Sequence, residues 1–249
     1  MKAIILAGGR GKRLRPLTDR IAKPLLPLNG KPIIERIIDD LSTVGIDEFE
    51  IVVGYLGEQI MSYLREKFPD LEIMYSFQER QLGTAHALKN AKLPTNDFLV
   101  SASDCIFSVE YLGKFLKFHS DGEITLALKI MSEEEIMSSS TVELMGNRIM
   151  RIIEKPRRNE ILSLIACAPL YIFPPEIRDY LSDIKKSRRG EYEIAQAIQD
   201  MIDNGFIAKG LITDEWMHLS TIDDFLGLNF PYMGELLKNK FPHIYSNRA

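Results

Sequence analysis

Only two cysteines and four histidines occur in the 249 residues. Cys105 and Cys167 show no metal-ligand spacing, which excludes a disulfide framework and a zinc ribbon and suits a reducing cytosol. No apolar run approaches the roughly 18 residues of a membrane span. Met1 leads straight into a strand-like run, not a charged leader with an apolar stretch, so no signal peptide and a cytoplasmic location are expected. An excess of positive charge is also missing. Lys and Arg total 31 against 35 Asp and Glu, a net charge of −4, so neither nucleic acid nor an anionic membrane is an expected partner. Linkers rich in Ser, Gly or Pro, internal repeats and low-complexity stretches are lacking too. What remains is an ordinary globular composition, 45% hydrophobic, ample for a sizeable core.

Apolar runs alternate with amphipathic segments through the first half. Ala3–Leu6, Ile51–Val53, Leu71–Tyr75 and Phe98–Ser101 read as strands. Leu56–Phe68 and Gly83–Lys92 read as helices between them, a rhythm that predicts a mostly parallel sheet covered on both faces. After residue 120 the rhythm changes. Ile124–Lys129, Thr141–Leu144, Arg148–Ile153 and Leu170–Phe173 are short strands with few helices between them, before helical periodicity returns at Glu191–Asn204 and from Thr221 onward. The expectation is one α/β domain over 1–249, a Rossmann-like, doubly wound, mixed but mostly parallel sheet with a small antiparallel excursion. Residues 1–120 would form one half, and 121–249 the other with a C-terminal helix.

The first apolar run feeds a loop holding Gly8, Gly9 and Gly11 together with Arg10, Lys12, Arg13 and Arg15. Glycines let backbone N–H groups close on an anion, and the cations supply charge for phosphate. The loop is not a dinucleotide fingerprint, because Leu14 stands where a third glycine is needed and Pro16 opposes an immediate helix. Nor is it a Walker loop, because Gly11-Lys12 is followed by Arg13 and not by Ser or Thr. The pattern G-G-x-G-x-R-L-x-P-L-T, followed by Lys23-Pro-Leu-Leu-Pro27, resembles the signature of the sugar-phosphate nucleotidyltransferases.

That resemblance covers essentially the whole chain. It implies that Leu6, Ala7, Gly8, Gly9 and Gly11 bind nucleotide, that Arg13 holds the leaving pyrophosphate and that Lys23 contacts the α-phosphate. The segment Gln78-Glu-Arg-Gln-Leu-Gly83-Thr84-Ala-His86 looks like the family's base-binding segment, with Gln78, Gly83 and Thr84 at the base and UTP or dTTP as donor. A Gln amide offers both donor and acceptor to a pyrimidine edge, whereas His86 reads as a plain helix-face residue. Asp104, just past a strand's carboxyl end, matches the family's metal-binding aspartate, implying Mg²⁺, with Mn²⁺ or another divalent ion as alternatives. In Arg151-Ile-Ile-Glu154-Lys155-Pro156, Glu154 would hold sugar hydroxyls and Lys155 the sugar phosphate. Neighbouring strand residues face opposite ways, so both can serve only if the chain bends there. Tyr171 and Glu193 are further sugar-side candidates; a core tyrosine and a helix-start acid explain them equally well.

The resemblance departs at Trp216-Met-His218-Leu-Ser-Thr221. The family has an aspartate metal ligand where this chain has His218, and imidazole suits Zn²⁺, Ni²⁺ or Mn²⁺ better than Mg²⁺. His218 then binds a softer metal, reaches Mg²⁺ through water, or leaves Asp104 alone with the phosphates. Ser140 and Pro169 stand near positions where sugar-contacting glycines are common. Relatives often add a C-terminal β-helix of hexapeptide repeats, of which this sequence has none. The implied activity condenses a nucleoside triphosphate with a sugar 1-phosphate resembling glucose 1-phosphate, releasing pyrophosphate, in a protein free to form a homo-oligomer. The alternatives are a GTP/mannose 1-phosphate or CTP-dependent variant, and a regulatory paralogue that binds nucleotide sugar without turnover.

Overall fold

The computed structural model describes the backbone of residues 1–213 and 216–240 and the side chains through 231. β1 (Lys2–Ala7) buries Ala3, Ile4 and Ile5 completely, as a strand covered on both faces must. A basic glycine loop follows, then a ribbon of β2 (Pro27–Leu28) and β3 (Lys31–Pro32). α1 (Ile33–Thr43) buries Ile33, Ile34, Ile37, Ile38 and Leu41, an i, i+4 stripe. β4 (Glu48–Val53), α2 (Gly57–Lys67), β5 (Ile73–Phe77), the short α3 (Thr84–Lys89) and β6 (Phe98–Ala102) complete the alternating half. β7 (Cys105–Phe107) and α4 (Val109–Phe118), capped by the Ser108 hydroxyl accepting from Tyr111 N–H, lead into the second half.

That half runs β8 (Ile124–Ile130), α5 (Glu133–Ser138), β9 (Ser140–Met145), β10 (Arg148–Glu154) and β11 (Ile165–Phe173). α6 (Ile177–Asp183), α7 (Ile194–Asp203), β12 (Ala208–Ile212), β13 (Trp216–His218) and α8 (Ile222–Lys240) follow. Nine strands form one sheet in the order β5-β4-β1-β6-β11-β8-β12-β10-β9. The first four are parallel; β11 then runs antiparallel to both β6 and β8. The expected antiparallel excursion is thus the far side of the same sheet, while β7 and β13 pair apart from it. No helix among the described residues is long and apolar enough to cross a membrane.

Core layers lie on both faces. One includes Ile33, Ile37, Phe49 and Phe115 beneath α1 and α4; the other includes Val100, Leu126, Phe173 and Ile198 beneath α3, α6 and α7. Each such side chain contributes about 1.5–3 kcal/mol of burial. One buried ionic network crosses the sheet. Lys2 pairs with Glu50, which also accepts from Ser76 Oγ at 2.6 Å and Lys92 N–H at 2.7 Å.

Several boundaries differ from the sequence expectation. β5 starts at Ile73 because Leu71 N–H turns back to the Phe68 carbonyl at 3.3 Å. α3 is shorter because Gly83, at φ +120°, is not helical, and the Asn90 amide donates to the His86 carbonyl at 2.6 Å, closing the last turn. α1 and α4 were not anticipated. The chain leaves β1 for β4 and β5 on one side and returns to β6 on the other, so the loops after β1 and β6 diverge and open a crevice.

Candidate active site

The crevice holds a cavity of about 330 Å³. From the nucleotide set it is lined by Leu6, Gly8, Gly9, Gly11, Gln78, Gly83 and Thr84. Lys23, Asp104 and Tyr171 line it as well. Ala7 is 1% exposed and lies outside the lining. Arg13 is exposed on the 3-10 turn Lys12–Leu14, also outside the lining, and makes no ion pair among the described residues. Gln81, Ser103 and Pro169 line the cavity too.

Two of the loop glycines have close neighbours. A Cβ on Gly8 would come within 2.6 Å of Gln78 Oε1, and Gly11 adopts φ +59° beside Thr18 and Lys23. Gly83 also carries a packing constraint. Its missing side chain makes room for the Tyr192 carbonyl, which a Cβ would approach to 2.2 Å. Thr84 does not cap its own helix, whose N-cap is Gly83; its hydroxyl accepts from Ile194 N–H at 3.1 Å and ties α3 to α7. Gln78 Nε2 donates to the Gly83 carbonyl at 3.1 Å and bonds His86 Nδ1 at 3.2 Å. Its two N–H groups are engaged, leaving Oε1 as the atom open to a ligand.

Lys23 and Asp104 form an ion pair inside the cavity. Lys23 and neighbouring His218 hold the Asp104 carboxyl far below the usual carboxylate range, against its burial. His218 Nε2 is 3.7 Å from Asp104 Oδ2, and its ring stacks on Trp216 at 5.3 Å and 13°. Cys105 Sγ is 3.5 Å from Asp104 Oδ1. Asp104, Cys105 and His218 each present one donor atom within 4.8 Å of the others, a set that fits a divalent cation.

The sugar-side candidates divide between two places. Tyr171 faces the first cavity, its hydroxyl pushed well up by burial and by the charges of Cys167 and Glu154. Glu154 and Glu193 line a second cavity of about 410 Å³ with Arg151, Lys186 and Arg188. Desolvation, with Glu193 nearby, raises the Glu154 carboxyl to about 7 against the pull of Lys155. Glu193 opens α7 without capping it, and pairs with Arg189 Nη1 at 3.5 Å. Lys155 lines neither cavity. It adopts φ +44°, so the chain does bend where β10 ends, and its N–H donates to the Ser139 carbonyl at 2.7 Å. A left-handed non-glycine residue costs of order 1–3 kcal/mol, and such strain gathers at functional sites. Ser140 is taken up by structure, its Oγ accepting from Cys167 N–H at 2.9 Å.

Comparison with known proteins follows the same lines. A family model described as Nucleotidyl transferase matches residues 2–232. The bifunctional protein GlmU of Methanococcus maripaludis is 32% identical over 239 residues, 95% of this chain and 56% of that protein. The chain therefore spans a little over half the length of the GlmU relatives. The UTP–glucose-1-phosphate uridylyltransferase AglF of Haloferax volcanii is 32% identical over 220 residues, 87% of this chain and 89% of AglF. The glucose-1-phosphate thymidylyltransferase of Streptomyces antibioticus is 31% identical over 243 residues, 95% of this chain and 67% of that one. A UDP-glucose pyrophosphorylase complexed with UDP-glucose shares the fold, with a TM-score of 0.79 at 21% identity, over 94% of this chain and 98% of that one.

Proposed function

Because the chain belongs to the nucleotidyl transferase family, we propose that it condenses UTP or dTTP with a sugar 1-phosphate, giving a nucleotide sugar and pyrophosphate. The observation that carries this reading is the common cavity of the glycine loop, Gln78, Lys23 and Asp104 at the switch point of the sheet. A glucose 1-phosphate-like acceptor agrees with the names of the AglF and Streptomyces relatives.

The base preference has a local basis. With both Gln78 N–H groups engaged, the free Oε1 accepts from the ring N–H of uracil or thymine, whereas cytosine presents an acceptor at that edge. An acceptor meeting an acceptor in a buried site is costly, so UTP should be preferred over CTP by roughly 100-fold or more.

The acceptor needs no general base. The second pKa of a phosphate monoester is about 6, so the sugar phosphate is largely dianionic at neutral pH and attacks the α-phosphorus in line. Catalysis is then positioning and neutralisation. Lys23 neutralises the α-phosphate, Arg13 meets the departing pyrophosphate, and Lys155 meets the acceptor phosphate across the bend at the end of β10. Tyr171, Glu154 and Glu193 form the sugar side. Asp104 and His218 would hold a divalent cation, which when bound supplies charge neutralisation to phosphate oxygens.

The test crosses UTP, dTTP, GTP, CTP and ATP with a panel of sugar 1-phosphates and measures pyrophosphate release. Turnover with a uridine or thymidine donor is expected. Nucleotide binding with no turnover for any pair would refute the reading and favour a non-catalytic binder.

A further inference from the structure

β7 and β13 form a two-stranded antiparallel ribbon in which Cys105 lies directly opposite His218. Directly opposed residues of such a ribbon project from the same face, with Cβ atoms about 4.5–5.5 Å apart. The Leu219 N–H donates to the Asp104 carbonyl at 2.9 Å and locks the end of the ribbon beside the carboxylate. Trp216, tilted against Phe107 at 6.1 Å on its own strand pair, backs the His218 ring. Sulfur, nitrogen and oxygen donors are thereby gathered from both strands and the turn before them.

The donor types suit one kind of ion. Cys105 Sγ lies 3.5 Å from one Asp104 carboxylate oxygen and His218 Nε2 lies 3.7 Å from the other, with one donor atom from each residue within 4.8 Å of the others. Zinc-class ions accept such a mixed sulfur, nitrogen and oxygen set, with bonds of about 2.0–2.3 Å. Mg²⁺ asks instead for six hard oxygen ligands and surrenders its waters reluctantly. One carboxylate beside an imidazole and a thiol is a poor octahedral oxygen set.

We propose that this chain carries a zinc-class site, with Cys105, His218 and Asp104 as three ligands and the fourth position open. The proposal rests on the preceding reading only in assigning that fourth position to a phosphate oxygen of the substrate. On binding, the S–metal bond replaces the S–H bond and the proton leaves to solvent; a coordinating thiol is deprotonated outright by the ion. An ion on the Asp104 carboxylate would compete with its Lys23 ion pair and leave the Lys23 ammonium for the α-phosphate. Cys105, buried to 1% exposure, thus acquires a role beyond packing.

The test is a Co²⁺ titration of the full chain followed by absorption spectroscopy, with Zn²⁺ as competitor. Wild type and Cys167→Ser should show a thiolate-to-cobalt charge-transfer band and tetrahedral visible bands at one equivalent. Cys105→Ser should lose the charge-transfer band, and its Zn²⁺ affinity should fall by about 100-fold or more, past the roughly 10–100-fold that outer partners are worth. His218→Ala should keep the sulfur band with weakened binding, and it decides the matter if Cys105→Ser does not fold. Weak octahedral bands without sulfur character in wild type, or a sulfur band that follows Cys167, would overturn the proposal. A sulfur band without pyrophosphate release from any substrate pair supports the site and refutes the enzymatic reading. Turnover in Mg²⁺ without the band does the reverse.

Discussion

Gly83→Ala should be among the most damaging small substitutions in this protein, and the cost can be worked out. At φ +120° and ψ 175°, the backbone occupies a region reserved essentially for glycine, where a side chain costs about 1–3 kcal/mol. The added Cβ would stand 2.2 Å from the Tyr192 carbonyl oxygen and 2.7 Å from its nitrogen. Relieving that overlap moves two backbone segments apart by roughly 1 Å, a distance at which a hydrogen bond is lost. The bonds at risk are Ala85 N–H to Tyr192 O at 3.0 Å and Tyr192 N–H to Leu82 O at 2.8 Å, each worth about 1 kcal/mol net. The total is about 3–5 kcal/mol, a large share of the roughly 5–15 kcal/mol that holds a domain folded. Equilibrium urea unfolding followed by circular dichroism measures it. Gly113→Ala is the matched control. Gly113 is helical with nothing within 4 Å of its would-be Cβ, so alanine should stabilise by about 0.5–1 kcal/mol. A Gly83→Ala protein as stable as wild type would show that contact between the α3 and α7 loops does not carry the strain assigned to it.

Three further outcomes are expected. Glu50→Gln leaves the Lys2 ammonium, 8% exposed, without its counter-charge and should cost about 3–5 kcal/mol; adding Lys2→Met should recover most of it, and a double variant as unstable as the single one would count against the pairing. Glu154 has a folded pKa of about 7 against an ordinary 4.5, so the folded state keeps a proton that the unfolded chain releases. Wild-type stability should therefore fall as pH rises through that window. Glu154→Gln should remove this component of the decline, and parallel pH–stability curves for the two proteins would refute the shift. Lys23→Ala should lower kcat by about 100- to 1,000-fold, as removal of one preorganised charge-stabilising group does, with a smaller change in nucleotide affinity by calorimetry; near-wild-type turnover would take Lys23 out of the reaction.

The sequence was legible wherever a local rule sets local structure. An apolar run before three closely spaced glycines reads as a buried strand feeding a tight loop, and β1 is that strand, with Gly8, Gly9 and Gly11 lining the cavity. The alternation of strand and helix periods likewise led to a sheet with both faces covered, because side-chain period and burial are coupled residue by residue. Gln78, Lys23 and Asp104 were identified from the motifs around them and meet in one cavity. Tertiary packing decided the rest. Gly83 lines the cavity, and the need for glycine there is also set by Tyr192, more than a hundred positions along the chain. Glu154 and Glu193 come together in a cavity beside the first because β10 and α7 pack against each other. Cys105 carried no signal in its spacing, since its partner His218 arrives from the far end of the chain through a three-residue ribbon. Periodicity and turn chemistry act over a few residues and are written locally. The meeting of sulfur, imidazole and carboxylate depends on strand register between distant segments, which only the folded chain sets.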